Sequence, residues 1–351
     1  MKNILTITLL ALLLFCSCKK EKSNEEQKAP EEITSTFDST ALATTSVDES
    51  EDQSFFFRYK FTPGESFKYR LTTISVREQS ITADSTMSDR LDQTIIFIMN
   101  FKTLSLDADS VAEMECTFSS VNLKANANGI NVTYQSGAKM DSTERQKFPE
   151  YESFVNNPFN LRVGKHGEII DIYKIDKIMN KFLSMRGLAD SLTAQEKIMA
   201  QQDLTSRSIK PLLAQIFREV PEHKMAKDST WSYKRESMPI VVFQVDYENL
   251  YKIEKLEMLG DEKLAVIGGM VKTKVSGKQT YSERGINYKF EKPVTTAGGK
   301  IYFNLNKGLI QKSRSQTNLH NSYTMEMPTP EGVKKASAKE ESSNVNVIEL
   351  L

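Results

Sequence analysis

The sequence predicts a β-rich α+β fold: long antiparallel strands in one or two curved sheets, with a central helical insertion at about 175–219. Three observations predict it. Apolar residues recur with period two through most of the chain, which is the spacing of half-buried strands. Glycine and Asn-Gly turns separate those runs. One stretch in the middle switches to the 3.6-residue period of an amphipathic helix.

The body opens abruptly at Ser54 with Phe55-Phe56-Phe57. Phe67, Tyr69, Leu71 and Thr73 alternate with polar residues, as do Ile95, Phe97, Met99 and Phe101. Ala112, Met114, Cys116 and Phe118 give the buried face of a further strand. Val121, Leu123 and Ala125 continue it with the phase shifted by one, which predicts a β-bulge. Asn128-Gly129 then predicts a hairpin into Ile130, Val132 and Tyr134. Ile175, Ile178, Met179, Phe182 and Leu183 fall on one helical face, and Gly187 ends that helix. Thr193-Ala194-Gln195-Glu196 is a capping box for a second helix, whose later part gathers Leu212, Leu213, Ile216, Phe217 and Val220. Pro211 is expected to break or kink it and Pro221 to stop it. Strands follow at 229–236, 241–258, 263–275, 279–291, 299–305 and 309–326, with Asn306-Lys307-Gly308 as a turn. Val345 to Leu350 reads as a strand that pairs back onto the sheet.

A faint internal repeat runs through these elements. Gly64-Glu65-Ser66-Phe67-Lys68-Tyr69-Arg70 echoes Asp228-Ser229-Thr230-Trp231-Ser232-Tyr233-Lys234, and Phe159-Asn160-Leu161 echoes Phe303-Asn304-Leu305. A glycine turn follows each triplet, at Gly167 and Gly308. Chance similarity of amphipathic strands is one explanation. The other is a pseudo-duplicated pair of β-units, 54–174 and 228–351, joined by the helices at 175–219.

The N-terminus has a different grammar. Lys2 precedes an uncharged, largely apolar run from Ile4 to Phe15, interrupted only by Thr6 and Thr8, and Cys16-Ser17-Cys18 follows. The run is short for a bilayer span, which needs about 20 apolar residues. It has the form of a signal peptide, 1–17, ending at a cysteine, and resembles a bacterial lipoprotein signal. Cys18 is the expected lipidated residue, because Ser17 before it is small; Cys16, preceded by Phe15, is the alternative. Residues 19–53 carry 4 basic and 10 acidic side chains and few large apolar ones. With Cys18 they are expected to form a disordered acidic tether, spanning about 30 Å as a random coil.

Composition excludes little else. The 46 basic and 46 acidic residues balance, which gives no bias toward nucleic acid. Beyond Cys18 only Cys116 remains, so body cysteines cannot form an intrachain disulfide, and Cys116 is expected to be a small core residue. His166, His223 and His320 lie far apart, without the spacing of metal ligands; His166, in the turn Gly164-Lys165-His166-Gly167, is expected to be solvent-exposed. Trp231 is expected to anchor packing rather than stack a ligand. No catalytic motif is present, so no catalytic, cofactor or metal residue is assigned. Asp-Ser before Thr, Val or Leu at Asp38, Asp84, Asp109, Asp141, Asp190 and Asp228 resembles an O-glycosylation acceptor pattern, with Ser39 the leading site; turns and helix caps are the alternative.

Four segments carry a family resemblance: FRYKFTPGESFKYRL at 57–71, FNLRVGKHGEIIDI at 159–172, VPEHKMAKDSTW at 220–231 and GGKIYFNLNKGLI at 298–310. Together they resemble an uncharacterised family of Bacteroidota lipoproteins, a domain of unknown function, over most of 55–327. The resemblance implies an envelope address and a β-rich architecture, and no site residues. The long strands with intervening helices also look like the half-barrel carriers of periplasmic lipoproteins and lipids.

The expected protein is therefore a lipid-anchored cell-envelope lipoprotein, at the outer membrane, with the periplasmic or surface side left open. Its expected role is non-enzymatic binding or scaffolding. A second reading is a carrier that shields an acyl chain or other apolar ligand in a β half-barrel. A third is a hydrolase of envelope polymers. The partners these readings imply are the membrane, through the N-terminal lipid, and an apolar ligand or an envelope protein.

Overall fold

The computed structural model describes residues 42–47, 54–330 and 332–351. Among them is one unclosed antiparallel sheet of fifteen strands, in agreement with the expected β-rich α+β class. The strands are β1 (Thr45–Ser46), β2 (Ser66–Thr82), β3 (Thr86–Leu106), β4 (Ala112–Ala127), β5 (Ile130–Gln135), β6 (Phe159–Val163), β7 (Ile169–Tyr173), β8 (Thr230–Ile240), β9 (Phe243–Leu259), β10 (Glu262–Gly277), β11 (Thr280–Glu283), β12 (Ile286–Phe290), β13 (Val294–Asn304), β14 (Leu309–Thr329) and β15 (Gly332–Leu350). Five short helices interrupt them: α1 (Ser142–Arg145), α2 (Pro149–Phe154), α3 (Asp176–Met185), α4 (Ala194–Leu204) and α5 (Lys210–Ile216). The sheet path is β1-β9-β10-β13-β14-β15-β2-β3-β4-β6-β7, with β8 on β9, β5 on β4 and the β11–β12 hairpin on β14.

Local chemistry places the irregularities. Ile98 pairs with Ser120 and Met99 with Phe118, so Ser119 is the extra residue of the expected bulge, and Phe118 and Val121 both reach the core. At the β4–β5 turn Asn128 and Gly129 both have positive φ, 51° and 86°, as a two-residue primed turn requires.

The internal repeat has a topological counterpart. The strands β8-β9-β10-β13-β14 are neighbours in that order, and so are β2-β3-β4-β6-β7. In β6, Asn160 pairs with Glu115 and donates from its side chain to Glu113 at 3.2 Å. In β13, Asn304 pairs with Leu264 and donates to Glu262 at 2.7 Å. Each acceptor lies two residues before its asparagine's strand partner, and both asparagines are buried. The two meanders meet at β15, which pairs with β14 on one side and β2 on the other.

Helices and an extended strap cover one end of one sheet face. Ile178, Met179, Phe182 and Leu183 of α3 are buried, as their spacing predicts. Thr193 and Glu196 form the capping box of α4. Pro211 does not end the helix. Instead α4 runs into a π turn, Thr205–Ile209, and α5 follows with Pro211 in its first turn. The wider turn accommodates a ring that can neither donate a backbone hydrogen bond nor sit against the preceding carbonyls. Residues 55–61 cross the same face. Their backbone bonds to Met225, Lys165 and Gly308, through Phe55, Tyr59 and Lys60 respectively. Phe55, Phe57, Tyr59 and Phe61 point inward, whereas Phe56, Arg58 and Lys60 are exposed. The turn glycines allow the strap this close approach. A Cβ on Gly308 would lie 2.5 Å from Lys60 N, and one on Gly167 would lie 2.7 Å from Tyr59 Cε2.

Three expectations need correction, and two helices add to the expected elements. The tether reading of 18–53 fails for Leu42–Val47: Thr45 pairs with Met258, Thr44 Oγ1 donates to Glu257 at 2.8 Å, and Leu42 packs on Leu264 and Val266. The reason is an unfilled edge, since β8 pairs with β9 only as far as Lys252. The strand expected at 279–291 is two, β11 and β12, reversed at Arg284 and Gly285, both of positive φ. His166 is buried rather than exposed, because the segment after α5 folds over its turn and Val220 donates to the His166 carbonyl at 2.9 Å. Helices α1 and α2 were not anticipated; Asp141 caps the first by accepting from Glu144 N at 2.8 Å.

Candidate functional site

Strand alternation sorts side chains to the two faces of the sheet. On β13, Ile301 and Phe303 join the helix-covered core. Thr296, Gly298, Lys300 and Tyr302 therefore share the opposite face. Their partners on β14 are Asn318, Gln316, Arg314 and Lys312 in turn. Together with Ala297 and Gly299 these residues line an open groove of about 540 Å³.

Three cations face this groove. Lys312 is buried and lies 3.6 Å from Glu349, which also pairs with Arg70 at 3.4 Å. Lys300 pairs with Glu254 at 3.2 Å. Arg314 has no carboxylate within ion-pair distance among the described residues; it donates to the neutral Gln316 at 3.3 Å. From there a polar ladder continues. Gln316 Nε2 donates to Asn318 Oδ1 at 3.2 Å, and Asn318 Nδ2 to Thr296 Oγ1 at 3.4 Å. The floor is Gly298-Gly299. A Cβ on Gly298 would meet only Gly269 O, at 3.6 Å, whereas one on Gly299 would lie 2.5 Å from Arg314 O. Tyr302 closes one end and also contacts the small cluster of Leu264 and Val266 on which Leu42 rests. Leu42–Val47 thus arrive beside the groove.

The opposite, helix-covered face is packed by the chain's own rings. Phe57 lies 5.2 Å from Phe303 and 5.7 Å from Trp231 between ring centroids, Tyr59 lies 6.0 Å from Phe217, and Phe61 lies 6.2 Å from both Phe67 and Phe217. Burial raises the Tyr59 hydroxyl's pKa well above the usual phenol range. That hydroxyl accepts from Arg218 N at 2.9 Å.

Cys16, Cys18 and Ser39 lie outside the described residues. Cys116 is fully buried, and burial pushes its thiol pKa up. Trp231 stacks on Tyr251 at 5.2 Å as part of the aromatic packing. His223 is exposed, and His320 lies 3.4 Å from Glu341. No group of three or more His, Cys, Asp or Glu among the described residues could hold a metal ion. The Asp-Ser pairs at Asp84, Asp109, Asp141, Asp190 and Asp228 all fall at turns or caps. The groove itself went unread in the sequence. Its signal was the polar alternation Lys312, Arg314, Gln316, Asn318 opposite a Gly-Gly pair, which needs the strand register to become a site.

Residues 109–310 match the model of a family of unknown function (DUF6263). No curated protein matches. Among solved structures, lipovitellin is similar at 12% identity with a TM-score of 0.39, over 83% of this chain and 25% of that one. The chain thus spans about a quarter of the lipovitellin chain's length. OccK5 (OpdH) of Pseudomonas aeruginosa is similar at 7% identity and a TM-score of 0.18, over 82% and 98% of the two chains. An outer membrane channel of Pseudomonas putida F1 gives 7% and 0.16, over 87% and 100%. Likenesses this low carry no argument about function. No helix among the described residues is long and apolar enough to cross a membrane.

Proposed function

Because the chain belongs to DUF6263, a family of unknown function, we propose its role from the geometry: a non-enzymatic binding module of the cell envelope, held by an N-terminal lipid at Cys18, or at Cys16 in the alternative. The ligand site is the groove on β13 and β14. The observation that carries this reading is the contrast between the two faces. The helix-covered face is packed with Phe57, Tyr59, Phe61 and Phe217, and the other face keeps an open groove of about 540 Å³. Small-molecule sites occupy roughly 300–1,000 Å³. A carrier of acyl chains needs apolar space where this chain has placed its own rings.

Native mass spectrometry of the full chain, purified from native envelopes, tests this. Gly298→Trp places an indole in the groove at a position where a Cβ fits. A bound mass present in the wild type and absent from Gly298→Trp is the expected result. An acyl lipid retained by both proteins would overturn the groove reading in favour of the carrier. The anchor is tested separately: radiolabelled palmitate should label the wild type and Cys16→Ala, and not Cys18→Ala.

A further inference from the structure

We infer that the groove takes an acidic saccharide, a ligand that carries a carboxylate and several hydroxyls. This rests on the binding reading above and names its ligand class. The charge argument starts at Arg314. Its guanidinium has no carboxylate partner among the described residues and makes its side-chain hydrogen bond to a neutral amide. A planar fork of donors matches a carboxylate through two parallel hydrogen bonds. Around it, Lys300, Lys312 and Arg70 share two carboxylates, Glu254 and Glu349. With the neighbouring Lys255–Glu257 pair, whose carboxylate also feels Lys300, the local sum is five cations against three anions, a net excess of two positive charges.

The rest of the lining argues for hydroxyls. Gln316 and Asn318 each present a donor and an acceptor, and they already form a ladder that ends at the Thr296 hydroxyl. Hydroxyl groups both donate and accept, so a polyhydroxylated ligand uses both halves of each amide. An inorganic anion would use the donors alone. An apolar ligand would strand them, at a cost for every polar group left unpaired. The bare Gly298 floor lets a sugar ring approach the sheet backbone, with the Tyr302 side chain closing one end.

Isothermal titration of the full chain in detergent micelles tests the inference with three probes: tetragalacturonate, neutral maltotetraose and inorganic phosphate. Tetragalacturonate should bind at least about tenfold more tightly than maltotetraose, and the advantage should shrink as salt rises. Arg314→Met should lose about tenfold or more, the effect of one charge-assisted hydrogen-bonded contact. Trp231 fluorescence reports that the variant is folded. Equal affinity for the two saccharides would overturn the acidic class. Phosphate binding without saccharide binding would overturn the saccharide. Tetragalacturonate binding unchanged in Arg314→Met would overturn the site. If none of the probes binds, the ligand class is wrong, and the binding-module reading still stands or falls on its own native-mass experiment.

Discussion

The three consecutive phenylalanines at the start of the body are predicted to differ sharply in energetic weight. Phe57 is fully buried, with ring centroids 5.0 Å from Phe55, 5.2 Å from Phe303 and 5.7 Å from Trp231. Phe56, one residue earlier, is 51% exposed, and its ring contact is the Arg58 guanidinium at 6.0 Å. Truncating a core phenylalanine to alanine costs about 3–5 kcal/mol in lost transfer energy and cavity formation. The three ring contacts put Phe57→Ala near the middle of that range, about 4 kcal/mol. Phe56→Ala should cost under about 1 kcal/mol, the scale of an exposed cation–π contact. With a urea slope of about 3 kcal/mol per molar, Phe57→Ala should move the unfolding midpoint down by about 1 M or more. Trp231 is the chain's one tryptophan and touches Phe57, so its fluorescence reads the strap directly. Equal midpoints for the two variants, or a Phe57→Ala cost below about 1 kcal/mol, would refute the argument that the strap is an integral part of the core.

Three further outcomes are expected. Asn304→Ala should destabilise by about 1–3 kcal/mol and by more than Asn160→Ala, because Asn304 Oδ1 also accepts from Asn306 N and Lys307 N at 3.1 and 2.9 Å; the reverse ranking in urea titrations would contradict it. Hydrogen bonds from Tyr173 and Asn160 hold the Glu113 carboxyl below its ordinary value. That stabilisation is fully present above the unfolded carboxyl's range and is lost as pH falls through the lowered one, so Tyr173→Phe should flatten the acid limb of midpoint against pH, and an unchanged limb would count against it. Cys116 should be silent toward a thiol reagent in the native state and react once urea unfolds the chain; fast native labelling would show the β4 face to be open.

Much of the fold was legible because a two-residue period leaves a direct trace. The Ser119 bulge showed as a phase slip between Phe118 and Val121, and the Asn128-Gly129 turn through the conformations those residues tolerate. The Thr193–Glu196 capping box was local for the same reason. What was missed depends on distant partners. The Leu42–Val47 segment is polar enough to read as tether, and it orders because β9 offers an unfilled edge. His166 sits in a turn that should be wet, and is covered by residues more than fifty positions later in the chain. The Arg284-Gly285 reversal hid inside a run that alternates well enough to pass for one strand. The groove belongs to this class too: Lys300 and Arg314 face each other only through a strand register.

The seam made by β15 constrains the order in which the chain can be finished. Arg70 and Glu349, which meet across it, are 279 residues apart in sequence. A ribosome releases β2 long before its partner exists, and closing so distant a pair is slow because the chain's entropy must be given up first. Until then β2 and β14 each present a bare edge, the kind that recruits strands from other chains. Deletion of 332–350 would leave both meanders intact as sequence and the molecule with two raw edges facing each other. Synthesis therefore exposes a window of vulnerability whose length is set by this one closure, and crowding of nascent copies during that window is when misassembly should be sought.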